Sequence, residues 1–174
     1  MLRSTLFISV ALILVAAATR LLPHPANFTP LIAISLFGGA YLANRFLAAL
    51  IPVGAMFISD LVIGFHDLMI PIYLLMIVTS IVGRQLMNSE SATKIGSYSI
   101  GSSLVFFVVT NFLVWISSGM YSLDMSGLIT CFMMAIPFFQ NQVLGDLLYT
   151  AFLFGSMILL QRQNLVLAPV TSNH

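Results

Sequence analysis

The chain is a series of apolar runs, most of them long enough to cross a bilayer, with almost no charge inside them. A spanning helix needs about 20 mainly apolar residues, because the hydrocarbon core is about 30 Å thick and a helix rises about 1.5 Å per residue. Six stretches come near that length: residues 4–19, 30–44, 46–65, 68–86, 95–117 and 142–161. The second is short. A seventh piece, residues 126–139, covers only about 21 Å as a helix and holds Pro137. It reads as a re-entrant or interfacial segment.

Composition agrees. Charged residues make up 6% of the 174, against about 25% in a soluble domain. Such a chain has too few charges to cover a water-facing surface, which excludes a soluble globular domain and a disordered one. Six basic residues spread along the chain make no nucleic-acid patch. One cysteine excludes a disulfide framework and a Cys-based zinc site. Three histidines, with His174 at the tail, have no metal-ligand spacing. The expectation is an all-α fold: a polytopic membrane bundle of six transmembrane helices plus one short re-entrant or interfacial helix, in a single domain over residues 1–174. No cofactor, no metal and no enzymatic activity are expected.

The basic residues orient the spans. With the N-terminus inside, six spans put Arg3, Arg45, Arg84, Lys94 and Arg162 in the cytoplasm and only Arg20 outside, the positive-inside asymmetry. Both termini are then cytoplasmic. Counting residues 126–139 as a seventh span exports Arg162 and weakens the pattern. The N-terminal run, with Arg3 before it and Ala16-Ala17-Ala18 after it, also has the order of a signal peptide. An uncleaved first span is preferred, since five spans leave the bundle without a partner helix. Ser35, Gly39 and Ala43 recur at four-residue spacing and suit close helix packing.

An ionisable residue inside a span is costly, roughly 2.5–3.5 kcal/mol on insertion scales, and usually faces the bundle interior. On this topology Asp60 lies about 7 Å below the outer boundary, Asn111 about 9 Å and Asp146 about 6 Å, with Trp115 one turn above Asn111. The loop after the first span, stiffened by Pro23, Pro25 and Pro30, supplies Arg20, His24, Asn27 and Thr29. Asn141 and Gln142 reach the same level, and His66 and Asp67 cap the next outer loop. The expected site is therefore an outward-facing pocket for a small-molecule ligand, built from Arg20, His24, Asn27, Asp60, Asn111, Trp115, Asn141 and Asp146. A plainer role is open for the same residues: Arg20 pairs with Asp60 or Asp146 and ties helices together. Two acids against one arginine favour a cationic or zwitterionic ligand. Cys131 reads as a buried small hydrophobe.

Three segments carry a family likeness. Residues 23–30, Pro-His-Pro-Ala-Asn-Phe-Thr-Pro, running on to Phe37-Gly38-Gly39-Ala40-Tyr41, resemble an uncharacterised family of small bacterial multi-pass membrane proteins. So do Thr110-Asn111-Phe112 with Trp115. The third match is Pro137-Phe138-Phe139, Asn141 and Leu144-Gly145-Asp146-Leu147, with Phe154-Gly155 beyond. That family is in turn similar, in size, span count and site position, to the S components of energy-coupling-factor transporters. The likeness implies a bacterial cytoplasmic-membrane protein that binds a small molecule at its outer side, driven by a separate energising transmembrane subunit with ATPases. One departure stands: S components often dock through Ala-x-x-x-Ala in the first span, and Ala11, Ala16, Ala17 and Ala18 form no such pair.

Three functions compete at this stage. The first is a substrate-binding transport protein for a small polar molecule. A structural scaffold of the cell envelope, working through the polar turn 88–94, is the second. An intramembrane hydrolase using Asp60 and Asp146 as an acid–base pair comes last.

Overall fold

The computed structural model describes residues 2–163 and 165; the side chains of residues 2–4, and His174, lie outside what is described. Every regular element among the described residues is helical. The order is α1 (Leu2–Ala18), α2 (Leu31–Tyr41), α3 (Arg45–Ile63), α4 (Met69–Gly83), α5 (Ala92–Ser117) and α6 (Met125–Arg162). Short 3-10 turns, Thr19–Leu21 and Arg84–Leu86, extend α1 and α4.

Polar caps fix the helix starts. Asn44 accepts from the N–H groups of Phe46 and Leu47, and Ser91 from that of Lys94. Before α6, Oδ1 of Asp124 accepts from the Gly127 N–H and from the hydroxyls of Ser126 and Ser122. These caps satisfy first-turn donors that have no partner within the helix. The Gly127 N–H, helped by the two hydroxyls, holds the Asp124 carboxyl below the usual carboxylate range.

Among the described residues four helices, not six with a re-entrant piece, are long and apolar enough to cross a membrane: Arg45–Ile63, Met69–Leu86 (α4 with its turn), Ala92–Ser117 and Met125–Arg162. Their outward faces carry large apolar side chains such as Phe46, Ile58, Val62, Ile70, Ile81 and Leu148. A surface of that kind suits lipid. The two remaining helices depart from the sequence reading for different reasons. α1 passes into the 3-10 turn Thr19–Leu21 before the proline-rich loop, and over the residues whose side chains are described the two form a shorter apolar helix, Thr5–Leu21. α2 has 11 residues, about 16 Å, and is sheathed by protein instead of lipid.

The supposed re-entrant segment and the last span are one helix. α6 runs 38 residues, about 57 Å, straight through Pro137. Proline removes one backbone hydrogen bond but has a φ compatible with a helix, and both halves pack on α5. Phe107 packs its ring against Phe132 and Phe139, on either side of Pro137, at 5.6 and 4.5 Å between centroids. Asp146 consequently lies deep in a long helix, not one turn into a short one.

α2 is the hub. Residues 32–41 are all buried. Without a hydrophobic force between helices in lipid, association depends on close packing, and small residues permit it. Gly38 receives the ring of Pro52: a Cβ there would lie 2.7 Å from Pro52 Cγ. Gly39 faces α4, where a Cβ would lie 2.0 Å from the Ser80 carbonyl oxygen. Gly83 returns the contact, with Leu36 O 2.4 Å from its would-be Cβ. Of the expected small-residue stripe, Ser35 and Gly39 are buried, while Ala43 falls beyond the helix and is exposed. On the α6 side, Phe37 and Tyr41 pack against Phe154 at 5.5 and 5.6 Å.

The basic residues Arg45, Arg84, Lys94 and Arg162 stand at one end of the helices, and Arg20 at the other. At the end opposite Arg20, Arg162 pairs with Glu90 at 2.7 Å, and Lys94 Nζ donates to the Gln85 carbonyl at 2.7 Å.

Candidate functional site

The Arg20 end of the bundle holds a cavity of about 700 Å³. Its construction starts with the 3-10 turn after α1, which directs Arg20 inward. Arg20 Nη1 donates to Ser59 Oγ and, at 2.7 Å, to Asp60 Oδ1. Tyr73, on α4, donates its hydroxyl to Asp60 Oδ2 at 2.6 Å. Asp60 thus has a hydrogen bond on each oxygen, and its side chain is only 2% exposed. Of the two partners open to Arg20, the structure selects Asp60.

Next comes the loop between α1 and α2, strapped to α6. Phe28 lies over Gly145, where a Cβ would sit 3.2 Å from Phe28 Cα. Its ring meets Tyr149 at 6.0 Å, and the Tyr149 hydroxyl shares a 2.8 Å hydrogen bond with Thr19. Asn141 Nδ2 donates to the Ala26 carbonyl at 3.1 Å. The bend at Asn27 has φ 63°, a left-handed conformation that asparagine tolerates better than most residues.

The cavity is lined on its polar side by Arg20, Asn27, Thr29, His66, Asp67, Thr110, Asn111, Gln142 and Asp146. Leu31, Ile32, Leu68, Ile72, Phe106, Val114 and Met120 supply its apolar walls. Asp146 is fully buried. Ser103 donates to its Oδ2 at 2.6 Å, the shorter of that hydroxyl's two contacts; the other is the Ser99 carbonyl at 2.9 Å. Oδ1 of Asp146 has no hydrogen-bond partner among the described residues. The Gln142 side chain and the backbone N–H of Ile32, in the first turn of α2, both lie close to the carboxyl group as donors.

Of the eight residues singled out in the sequence, four line the cavity: Arg20, Asn27, Asn111 and Asp146. The other four stand behind or beside it. Asp60 is the buried partner of Arg20. His24 is exposed and turns Nδ1 to the Leu22 carbonyl at 2.7 Å. Trp115 donates its indole N–H to the Ser122 carbonyl at 2.9 Å, bracing the α5–α6 turn. Asn141 holds the strap. Asp60 and Asp146 form no pair: Asp60 is held by Arg20 and Tyr73, Asp146 by Ser103.

A family model for a family of unknown function, DUF6580, matches residues 2–169. The chain belongs to that family. No curated protein matches this DUF6580 chain. No solved structure matches it either. The family match covers all three segments of the sequence likeness but names no activity.

Sequence reasoning passed over Ser103, Thr110 (named only within the family likeness) and Tyr73 as site residues. A signal for the first two was present. Ser99, Ser103 and Thr110, four and seven residues apart, form a polar stripe on one face of an apolar helix, and all three are buried. The stripe meets α6, where Ser99 pairs with Thr150 at 3.2 Å. Tyr73 carried no comparable mark.

Proposed function

We propose that this chain is a membrane-embedded substrate-binding protein that takes up a small polar molecule through the cavity at the Arg20 end. The observation that carries the reading is Asp146. A buried carboxyl oxygen without a partner is costly, and this one stands where a pocket of ligand size reaches the bundle interior. Intramembrane acids left in that condition commonly mark substrate or ion pathways. Apolar walls with a few convergent polar groups are the usual make-up of a small-molecule site.

In this reading the chain sits in a bacterial cytoplasmic membrane with both termini inside and the cavity facing out. An energising transmembrane subunit with ATPases would drive it, as in the S components it resembles. Uptake through such a partner is tested by affinity purification from the native membrane, where an ATPase must co-purify.

The binding reading has its own experiment: mass spectrometry of small molecules released from protein purified in mild detergent, with Asp146→Asn alongside. A compound present in the wild type and absent from the variant supports it. A folded wild type that carries nothing, and takes up no solute in proteoliposomes, ends it.

A further inference from the structure

We infer that the cavity recognises an organic cation bearing N–H donors, an alkyl- or arylalkyl-ammonium or an amidinium, through Asp146 and a surround of acceptor oxygens. This rests on the reading of the cavity as a ligand site and names its substrate class.

The first support is charge. Arg20 lines the cavity, but its charge is already balanced by Asp60, which Tyr73 also holds. Among the described residues no cation stands on Asp146. Asp67, at the cavity margin, adds a second acid. An anionic ligand would meet uncompensated carboxyl groups and an arginine already paired.

Hydrogen-bond direction is the second support. Thr110 has one hydroxyl proton and gives it to the Phe106 carbonyl at 2.8 Å. Gln142 Nε2 donates to the Ser103 carbonyl at 3.1 Å, and Asn111 Nδ2 to the Phe107 carbonyl at 2.8 Å. A carbonyl only accepts, so these contacts fix which end of each amide is nitrogen. Each of these three side chains thereby commits a donor to the protein and turns its oxygen away from that contact, the two amides keeping a second N–H. With Asp146 Oδ1 these oxygens form one acceptor group on the α5–α6 wall of the cavity, while the unpartnered donor, Arg20 Nε, stands on the α1 side. The complementary ligand carries donors and positive charge. The apolar walls suit an organic body on that cation.

The test uses purified full-length protein and an equimolar mixture of 2-phenylethylamine, 2-phenylethanol and phenylacetate, with butylamine, butanol and butyrate as a smaller set. Unbound solute is removed and the retained compounds are quantified by mass spectrometry. The wild type is expected to retain amines over the matching alcohols and acids by about 10- to 100-fold, the range of a charged hydrogen bond. Asp146→Asn is expected to lose that preference. Thr110→Val removes one acceptor at nearly constant shape and guards against a folding defect in the first variant; amine retention should fall several-fold.

Retention of the alcohols or acids in preference to the amines overturns the substrate class and leaves the binding reading standing. Equal amine retention by wild type and Asp146→Asn also overturns it. Folded protein that retains none of the six overturns the substrate class; the binding reading falls only when the purified wild type also releases no compound and takes up no solute in proteoliposomes. An ammonium group reaches the site from a free amine or from an ethanolamine lipid headgroup. Nanodiscs of phosphatidylcholine, with and without phosphatidylethanolamine, separate the two, since a competing headgroup lowers amine retention.

Discussion

Replacing Gly39 by alanine adds one methyl group where α2 presses on α4. That carbon would lie 2.0 Å from the Ser80 carbonyl oxygen and 3.0 Å from Gly83 Cα, whereas ordinary contact begins at 3.4 Å. Both obstacles are backbone, so no side chain can turn aside. Relief requires the helices to part by about 1.4 Å, the difference between 3.4 and 2.0 Å. Overpacking in a tight core costs about 1–3 kcal/mol, and more when the backbone must move. A loss of about 3 kcal/mol is expected, which at roughly 2–4 °C per kcal/mol lowers the melting temperature by roughly 6–12 °C. Thermal unfolding in one detergent, followed by circular dichroism, measures it. Gly101→Ala is the control: its Cβ meets nothing within 4 Å, and alanine gains about 1 kcal/mol of helix propensity over glycine. If Gly39→Ala melts with the wild type, or both variants fall equally, the close α2–α4 approach does not carry the stability assigned to it.

Two further outcomes are expected. Asp60→Asn leaves the buried Arg20 charge uncompensated and should cost about 3–5 kcal/mol; the double replacement Arg20→Met with Asp60→Leu should melt above that single variant. Asp124 gives a pH signature. Its folded carboxyl is held below its unfolded value near 3.9, so its stabilising effect is full above the unfolded value and fades as pH falls towards the folded one. Melting curves of wild type and Asp124→Asn should therefore differ by a constant amount above about pH 5 and converge below about pH 4.

The polar residues were the legible part of the site, because an acid or amide in an apolar run stands out at once. Asp60, Asn111 and Asp146 were found that way. Their partners were not: Arg20 could reach either acid, and only the geometry of the 3-10 turn decides. Side chains in loops follow no period, so nothing in the sequence showed that His24 turns to a backbone carbonyl or that Trp115 braces a turn. The fold was legible where a helix meets lipid along its length, as in α3 and α5. It failed for α2, whose protein sheath replaces the length a span needs. It failed again at Pro137, where packing along α5 outweighs one missing hydrogen bond.

The burial of α2 changes what the bilayer can act on. The four helices long enough to cross a membrane carry exposed apolar faces that suit lipid tails, and a mismatch between hydrocarbon thickness and helix length works by tilting or shifting such helices. α2 presents no face to the tails. Thinner or thicker membranes therefore reach it as forces passed on by its protein neighbours, Pro52, Ser80, Gly83 and Phe154 among them, and the first turn beside Asp146 feels bilayer thickness at second hand.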